Sequence, residues 1–121
     1  MDLIFYWLRL KIWEAIASIK YFLQKLFRGY SDRDLWNLDV TIAKFIYPRL
    51  HRFIEKDIKG WHPPGMTEAE WNKALNTMCK AFKIVIEWPN IIMEVDDIEP
   101  YTKEIQKGLE LFAKYYLYLW T

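Results

Sequence analysis

Apolar residues recur every three to four positions through most of the chain, and this spacing predicts amphipathic α-helices. The first predicted helix covers Asp2–Arg28 and ends at Gly29, a residue that readily adopts the left-handed conformation found just beyond helix ends. The second begins at Ser31, which can cap the first turn, and continues as one long helix to Gly60. These two segments make up the first half of the chain.

The second half contains two further helical segments. A capping box that starts at Thr67 begins the third helix, and Pro89 is expected to end it. Pro100 suits the first turn of the fourth helix. Pro48 lies inside the second helix, where the apolar pattern continues beyond it, so we expect a kink rather than an end. The predicted fold is therefore all-α, a single helical domain over residues 1–121 that forms a compact bundle of about four helices.

The first helix has an apolar stripe along its whole length. Arg9 and Lys11 interrupt the apolar run, so no segment of about 20 apolar residues is available to span a membrane. A basic amphipathic helix can lie at a membrane surface, but the stripe also suits a bundle core, which we favour. The first turns, Leu3 to Leu8, are apolar on all sides, and we expect a homo-oligomer that covers them. The stripe consists of Ile4, Leu8, Ile12, Ala15, Ile16, Ile19, Phe22, Leu23 and Leu26.

The second helix carries two charges on its apolar face. Asp39 and Arg49 fall within the arc that also contains Leu38, Ile42 and Phe45. A buried charge must be paired or hydrogen-bonded, because an isolated one is strongly destabilising. We therefore expect Asp39 to be buried and paired, either in a structural salt bridge with Arg49 or in a polar pocket, and the sequence leaves both alternatives open.

Composition narrows the classes of partner. Aromatic residues make up 18% of the chain, with Trp 7, Tyr 8 and Phe 7, more than a plain four-helix core requires. Residues 1–60 hold 11 Lys and Arg against 7 Asp and Glu, whereas residues 61–121 hold 6 against 9. This division favours self-association or binding of an anion, and the net charge of +1 argues against DNA as a partner.

Two residues are expected to have structural roles in helix packing. Cys79 is the single cysteine, which excludes an internal disulfide, and its neighbours Met78 and Phe82 indicate a small buried side chain. Gly108 lies on the apolar face of the fourth helix, where a glycine permits the close approach of another helix.

No motif of catalysis or metal binding is present. The chain has two histidines and one cysteine, without HExxH, paired CxxC, GxSxG or a glycine-rich phosphate loop. The acidic stretch of residues 94–99 lacks the spacing of a calcium loop. We therefore predict a protein that is not an enzyme and uses neither a metal nor a cofactor.

Charged and aromatic residues of the second helix and the following loop form a candidate binding site. Arginine suits bidentate contact with phosphate or carboxylate, asparagine suits an amide or base edge, and tryptophan suits stacking on a ring. These are the side chains expected to hold a small nucleotide-like anion. The candidate ligand-binding residues are Trp36, Asn37, Asp39, Lys44, Arg49, His51, Arg52 and Trp61.

Three segments of the chain form a recognisable set: GYSDRDLWNLDVTIAKFIYPRL, GMTEAEWNKAL and EIQKGLELFAKYYLYLW. Together they resemble a family of small all-α accessory proteins of tailed bacteriophages, and the resemblance covers about residues 26–121. The family implies a viral protein made in the host bacterial cytoplasm. It provides no catalytic residues that could be assigned to positions of this chain.

The resemblance and the residues lead to three functional hypotheses. By analogy with other phage accessory proteins, the first is an anti-defence protein that sequesters a nucleotide-derived immune signal. The second is a protein–protein inhibitor of a host defence factor, acting through the spare aromatic surface. The third is a structural or assembly protein that uses the first helix to oligomerise.

Overall fold

The computed structural model describes residues 2–56 and 61–120. Four α-helices and two short 3₁₀ helices account for most of this part of the chain, which contains no β-strand. The prediction of an all-α fold is therefore confirmed. The helices are α1 (Asp2–Arg28), α2 (Leu38–Lys56), α3 (Glu68–Glu94) and α4 (Glu99–Tyr115), with 3₁₀ turns at Asp32–Leu35 and Tyr116–Tyr118.

The chain divides into two compact units, Met1–Thr41 and Ile42–Thr121. The first contains α1, the 3₁₀ turn at Asp32–Leu35 and the first residues of α2. The second contains the rest of α2 together with α3 and α4. The expectation of one domain over residues 1–121 stays a prediction.

In the first unit, a hydrogen-bonded junction holds the end of α1 to the following turn. The amide side chain of Gln24 donates to Asp32 Oδ2 at 2.7 Å, and its oxygen accepts the backbone N–H of Asp32 at 2.8 Å. The guanidinium of Arg28 donates to Asp32 Oδ1 at 2.8 Å. Gly29, at φ +84°, allows the chain to turn after α1, as the sequence predicts. The carboxylate of Asp32 thereby fixes the direction in which the chain leaves α1.

The prediction of one unbroken helix from Ser31 is wrong. Ser31 instead precedes a 3₁₀ turn, in which its backbone N–H donates to the carboxylate of Asp34 at 2.9 Å. Asn37 then adopts φ 50°, a conformation that asparagine tolerates better than most residues and that no α-helix accommodates. A new helix, α2, begins at Leu38, and the predicted end at Gly60 lies outside the described residues.

Two prolines lie inside helices. Helix α2 continues through Pro48, as predicted, and the kink expected there stays a prediction. Helix α3 continues through Pro89 to Glu94, so the prediction that Pro89 ends it is wrong. Proline removes one backbone donor and crowds the preceding turn, but the hydrogen bonds on both sides still support the helix here. The capping box at Thr67 is confirmed, since its hydroxyl accepts the N–H of Glu70 at 3.2 Å.

The core of the second unit is built mainly on α3. Eight of the side chains in this helix are buried, compared with two in α2. Cys79 is buried among them, as expected. The core side chains, contributed by α2 and α3, are Ala43, Leu50, Trp71, Ala74, Leu75, Met78, Cys79 and Phe82.

Helix α4 packs against α3 at its glycine. Gly108 is the buried residue of α4, and a Cβ placed there would collide with the Cβ of Ala81 and lie 2.8 Å from the carbonyl oxygen of Thr77. The predicted close approach of another helix at Gly108 is therefore confirmed. The apolar residues of α4 are only partly buried: Leu109 is exposed, whereas Tyr101, Ile105 and Phe112 are half-buried.

We predict that Gly108→Ala destabilises the second unit by about 1–3 kcal/mol, because the added methyl group overpacks the helix contact. This is expected although alanine favours an exposed helix by about 1 kcal/mol over glycine. Urea unfolding followed by tryptophan fluorescence measures the change. Lys107→Ala, at the exposed neighbouring position, is the control and should be nearly neutral. A stabilised Gly108→Ala protein would contradict this packing.

The junction at the end of α1 leads to a second prediction. Two hydrogen bonds lower the pKa of the Asp32 carboxyl below its ordinary value. The bond from Arg28 has the larger effect, and the bond from Gln24 the smaller. A carboxyl with a lowered folded-state pKa stabilises the fold above its unfolded pKa and loses that contribution as the pH falls through the folded value. We expect Arg28→Leu to raise the pKa of Asp32, and Gln24→Leu to raise it by less, because glutamine supplies no charge. Carboxyl titration by NMR measures both, and equal pKa values in all three proteins would contradict the junction.

Candidate functional site

The predicted ligand-binding residues are divided between the two units. Three of them, Trp36, Asn37 and Asp39, lie in the first unit, and the other five lie in the second. Within each unit, their surroundings show which side chains are available to a ligand and which already have intramolecular partners.

Asp39 is exposed in the first turn of α2, so the prediction that it is buried is wrong. Arg49 follows it by ten residues, or about 15 Å along a helix axis, which is beyond the reach of a salt bridge within one helix. The apolar arc around Asp39 is exposed as well, as Leu38, Ile42 and Phe45 show. Because this end of α2 is not buried, the carboxylate needs no partner there. Its charge instead complements the positive end of the helix.

Arg49 is exposed and interacts with its own helix. Its Nη1 donates to the backbone carbonyl of Phe45 at 2.9 Å, and its guanidinium lies 3.8 Å from the centre of the Phe45 ring. This combination of a hydrogen bond and a cation–π contact keeps the guanidinium against the helix surface. The remaining donors of Arg49 face solvent and could bind an anion.

Two basic side chains near the end of α2 share one carboxylate. The Nδ1 atom of His51 lies 3.3 Å from Glu55, and Arg52 donates to the other oxygen of Glu55 at 3.1 Å. All three side chains are at least half exposed, so these contacts contribute little to stability. Lys44, one turn before Pro48, is also exposed. The region therefore presents several basic side chains, but they lie on an open helix surface, and two of them, His51 and Arg52, already contact Glu55.

Trp36 and Asn37 form part of the turn between α1 and α2. Trp36 packs edge-on against Tyr21, with 5.7 Å between the ring centres, and Arg33 lies 4.5 Å from the centre of the Tyr21 ring. The backbone carbonyl of Asn37 accepts the N–H groups of Val40 and Thr41 at 3.0 and 3.1 Å. Both predicted ligand residues therefore have structural roles in the first unit, although the indole of Trp36 remains largely exposed.

Trp61 is half-buried in an aromatic cluster of the second unit. Its ring contacts Trp71 edge-on at 5.8 Å and Trp120 at 5.2 Å, measured between ring centres. Trp71 is fully buried, and its indole Nε1 has no hydrogen-bond partner among the described residues. Pro63, in the loop that follows Trp61, is also buried. Trp61 thus anchors the loop to the core rather than standing free for stacking on a ligand.

The described residues offer few groups for covalent or metal chemistry. Residues 2–56 and 61–120 contain no group of three or more His, Cys, Asp and Glu side chains arranged to hold a metal ion. Burial raises the pKa of the Cys79 thiol, an effect that nearby Lys83 partly opposes. A thiol of raised pKa holds little thiolate near neutral pH and is a poor nucleophile.

The largest unexplained feature is the apolar stripe of α1. Among the described residues, α1 has no buried side chain, and every member of the stripe is exposed. The favoured assignment of the stripe to a bundle core therefore does not hold within the first unit. The spacing of these residues was visible in the sequence, but whether a stripe is covered depends on packing partners that a periodic pattern does not identify.

Comparison with protein-family models, with curated proteins and with solved structures finds no match. In the described part of the chain, no helix combines the length and the apolar character needed to cross a membrane. The case for a function therefore rests on the chain itself.

We predict that Asp39→Ala changes the free energy of unfolding by less than about 1 kcal/mol, the size of a charge interaction at an exposed helix end. Thermal unfolding measures this, with Asp39→Asn as a control that removes the charge and retains the shape. A loss of about 3 kcal/mol or more, as for a broken buried pair, would contradict an exposed Asp39.

Proposed function

We propose that this protein acts without catalysis, by associating with another protein through the apolar stripe of α1. The observation that supports this most directly is the exposure of the whole stripe. Large apolar side chains are rarely left in one contiguous exposed array unless they belong to an interaction surface. Here the array follows the full length of a 27-residue helix.

The stability of α1 adds a second reason. Most of the stability of helices in folded proteins comes from packing of their apolar faces, because isolated helices are only marginally stable in water. Helix α1 buries none of its described side chains and is fastened to its unit by the junction at Asp32. A protein partner that covers the stripe would supply the missing packing.

The cationic surface of α2 gives weaker support to the sequestration of a nucleotide. Lys44, Arg49 and Arg52 are exposed and could contact phosphate groups. However, Arg52 already pairs with Glu55, and Trp61 is packed in the aromatic cluster. Sequestration of a nucleotide-derived signal therefore stays a prediction. Both activities fit a phage accessory protein acting in the host cytoplasm, the setting that the sequence resemblance implies and that we retain as part of the proposal.

Native mass spectrometry of the protein purified from bacterial cells tests the proposed function. We expect the wild-type chain to be found in a complex with protein, and Ile19→Glu to be released from it because a charge is placed on the stripe. Leu10→Glu is the matched control, since it adds the same charge on the side of α1 opposite the stripe. Equal complexes in all three proteins would contradict binding through the stripe.

Sequestration of a nucleotide, the competing function, can be tested in the same samples. A nucleotide that remains bound to the wild-type chain and is lost from Arg49→Ala, without any protein partner, would replace the proposal by sequestration. Titration of nucleotides against tryptophan fluorescence provides the confirming measurement. We expect no saturable change.

A further inference from the structure

We infer that the partner of α1 is α1 of another copy of this chain, so that the apolar stripe forms the seam of a homo-oligomer. This inference rests on the proposed function and identifies the partner within it. Three properties of the helix lead to it: the period of its apolar residues, the area that they expose, and the placement of its charges.

The apolar residues follow the period of a coiled coil. Starting at Phe5, they recur at alternating steps of three and four residues up to Leu26. This is the heptad pattern in which the side chains of one helix fit between those of an identical neighbour. Ile16 and Leu23 widen the stripe by one position, because an α-helix drifts about 20° per heptad relative to an ideal seam. The seven seam positions are Phe5, which precedes the stripe on the same side of the helix, and six members of the stripe: Leu8, Ile12, Ala15, Ile19, Phe22 and Leu26.

The exposed area is sufficient for a stable interface. The large side chains of the seam are between 43% exposed at Leu8 and 66% exposed at Leu26. Together with Ile4, Ile16 and Leu23, they present roughly 1,000 Å² per copy, compared with about 800 Å² per partner in a standard interface. A coiled-coil neighbour would cover this area along the full length of α1.

The charges beside the seam do not oppose pairing of identical helices. In a parallel, in-register pair, the residue before Phe5, Ile12 or Ile19 in one helix faces the residue five positions later in its neighbour. Lys11 then faces Ile16, and Arg9 faces Ile4, so neither contact brings two cations together. The lysine stem can lie along the apolar surface while its ammonium group remains in water.

A lipid surface is the main competing partner, because α1 carries five basic residues against two acidic ones. An interfacial helix needs a continuous polar face towards water. The first turns of α1 lack one, since Leu3, Tyr6 and Trp7 lie outside the stripe and are themselves exposed and aromatic or apolar. Neighbouring helices can cover several sides of such a segment, whereas a flat membrane surface covers one.

Sedimentation velocity of the full chain at micromolar concentration tests the seam. We expect a mass above the 14.8 kDa of one chain, decreasing towards that value on dilution. Ile12→Glu should sediment as a monomer at concentrations where the wild type is associated. Leu10→Glu is the matched control: it places the same charge two residues away, at a position of similar exposure on the opposite side of the helix, and should remain associated.

Three outcomes would overturn the inference, and they separate it from the proposed function. A wild-type chain that is monomeric at all concentrations overturns the seam. If that monomer binds a different protein and Ile19→Glu does not, binding through the stripe still stands. If the monomer binds vesicles of phosphatidylethanolamine and phosphatidylglycerol, and Ile12→Glu does not, the stripe is a membrane-binding surface. If it binds neither, and hydrogen exchange shows that the α1 amides are protected, the stripe packs within its own chain and both proposals fail.

Discussion

The burial of apolar surface is distributed very unevenly among the helices, and this imbalance is the constraint on which the rest of the structure depends. Helix α3 buries eight side chains, whereas α1, of the same length, buries none within the described residues. Fully burying a leucine, isoleucine or phenylalanine contributes about 1.5–3 kcal/mol. The second unit therefore has a core of its own, whereas the apolar side chains of α1 could still contribute a large free energy if they were buried.

That gain is large compared with the cost of association. Covering about 1,000 Å² of apolar surface corresponds to an upper estimate of about 25 kcal/mol per copy, at 25 cal/mol per Å². Association costs about 4–15 kcal/mol in lost translational and rotational freedom. Even a seam that realised half of the area term would therefore be favourable. The basic side chains of α2 offer far less free energy than the stripe, because exposed ion pairs such as Arg52–Glu55 contribute at most about 1 kcal/mol.

The sequence predicted the features that depend on neighbouring residues. The span of α1, the capping box at Thr67 and the close contact at Gly108 follow from local chemistry, and the structure confirms them. Prediction from the sequence failed where packing between distant segments decides which side chains are buried. Nothing in the periodicity of the second predicted helix separates an apolar arc that is buried from one that is exposed, so Asp39 was wrongly placed in a buried environment.

Other failures arose from weak local signals. Proline usually ends a helix, yet the hydrogen bonds around Pro89 are sufficient to carry α3 to Glu94. Asn37 breaks the second predicted helix through a backbone conformation that many asparagines do not adopt. For the candidate site, residue types suggested ligand contacts, but side chains such as Trp36 and Trp61 have intramolecular partners. Those partners, Tyr21 for the first and Trp71 for the second, are distant in sequence, and only the fold identifies them.

The junction at the end of α1 links the unburied helix to a defined geometry. Gln24 and Arg28 both bind the carboxylate of Asp32, one helical turn apart on the same helix. A flexible connection would allow each copy in an α1 assembly to leave the seam in a different direction. The hydrogen-bonded junction instead gives the turn at Asp32–Leu35 the same position relative to α1 in every copy. An assembly through α1 would therefore be ordered beyond the seam itself, as symmetric oligomers require.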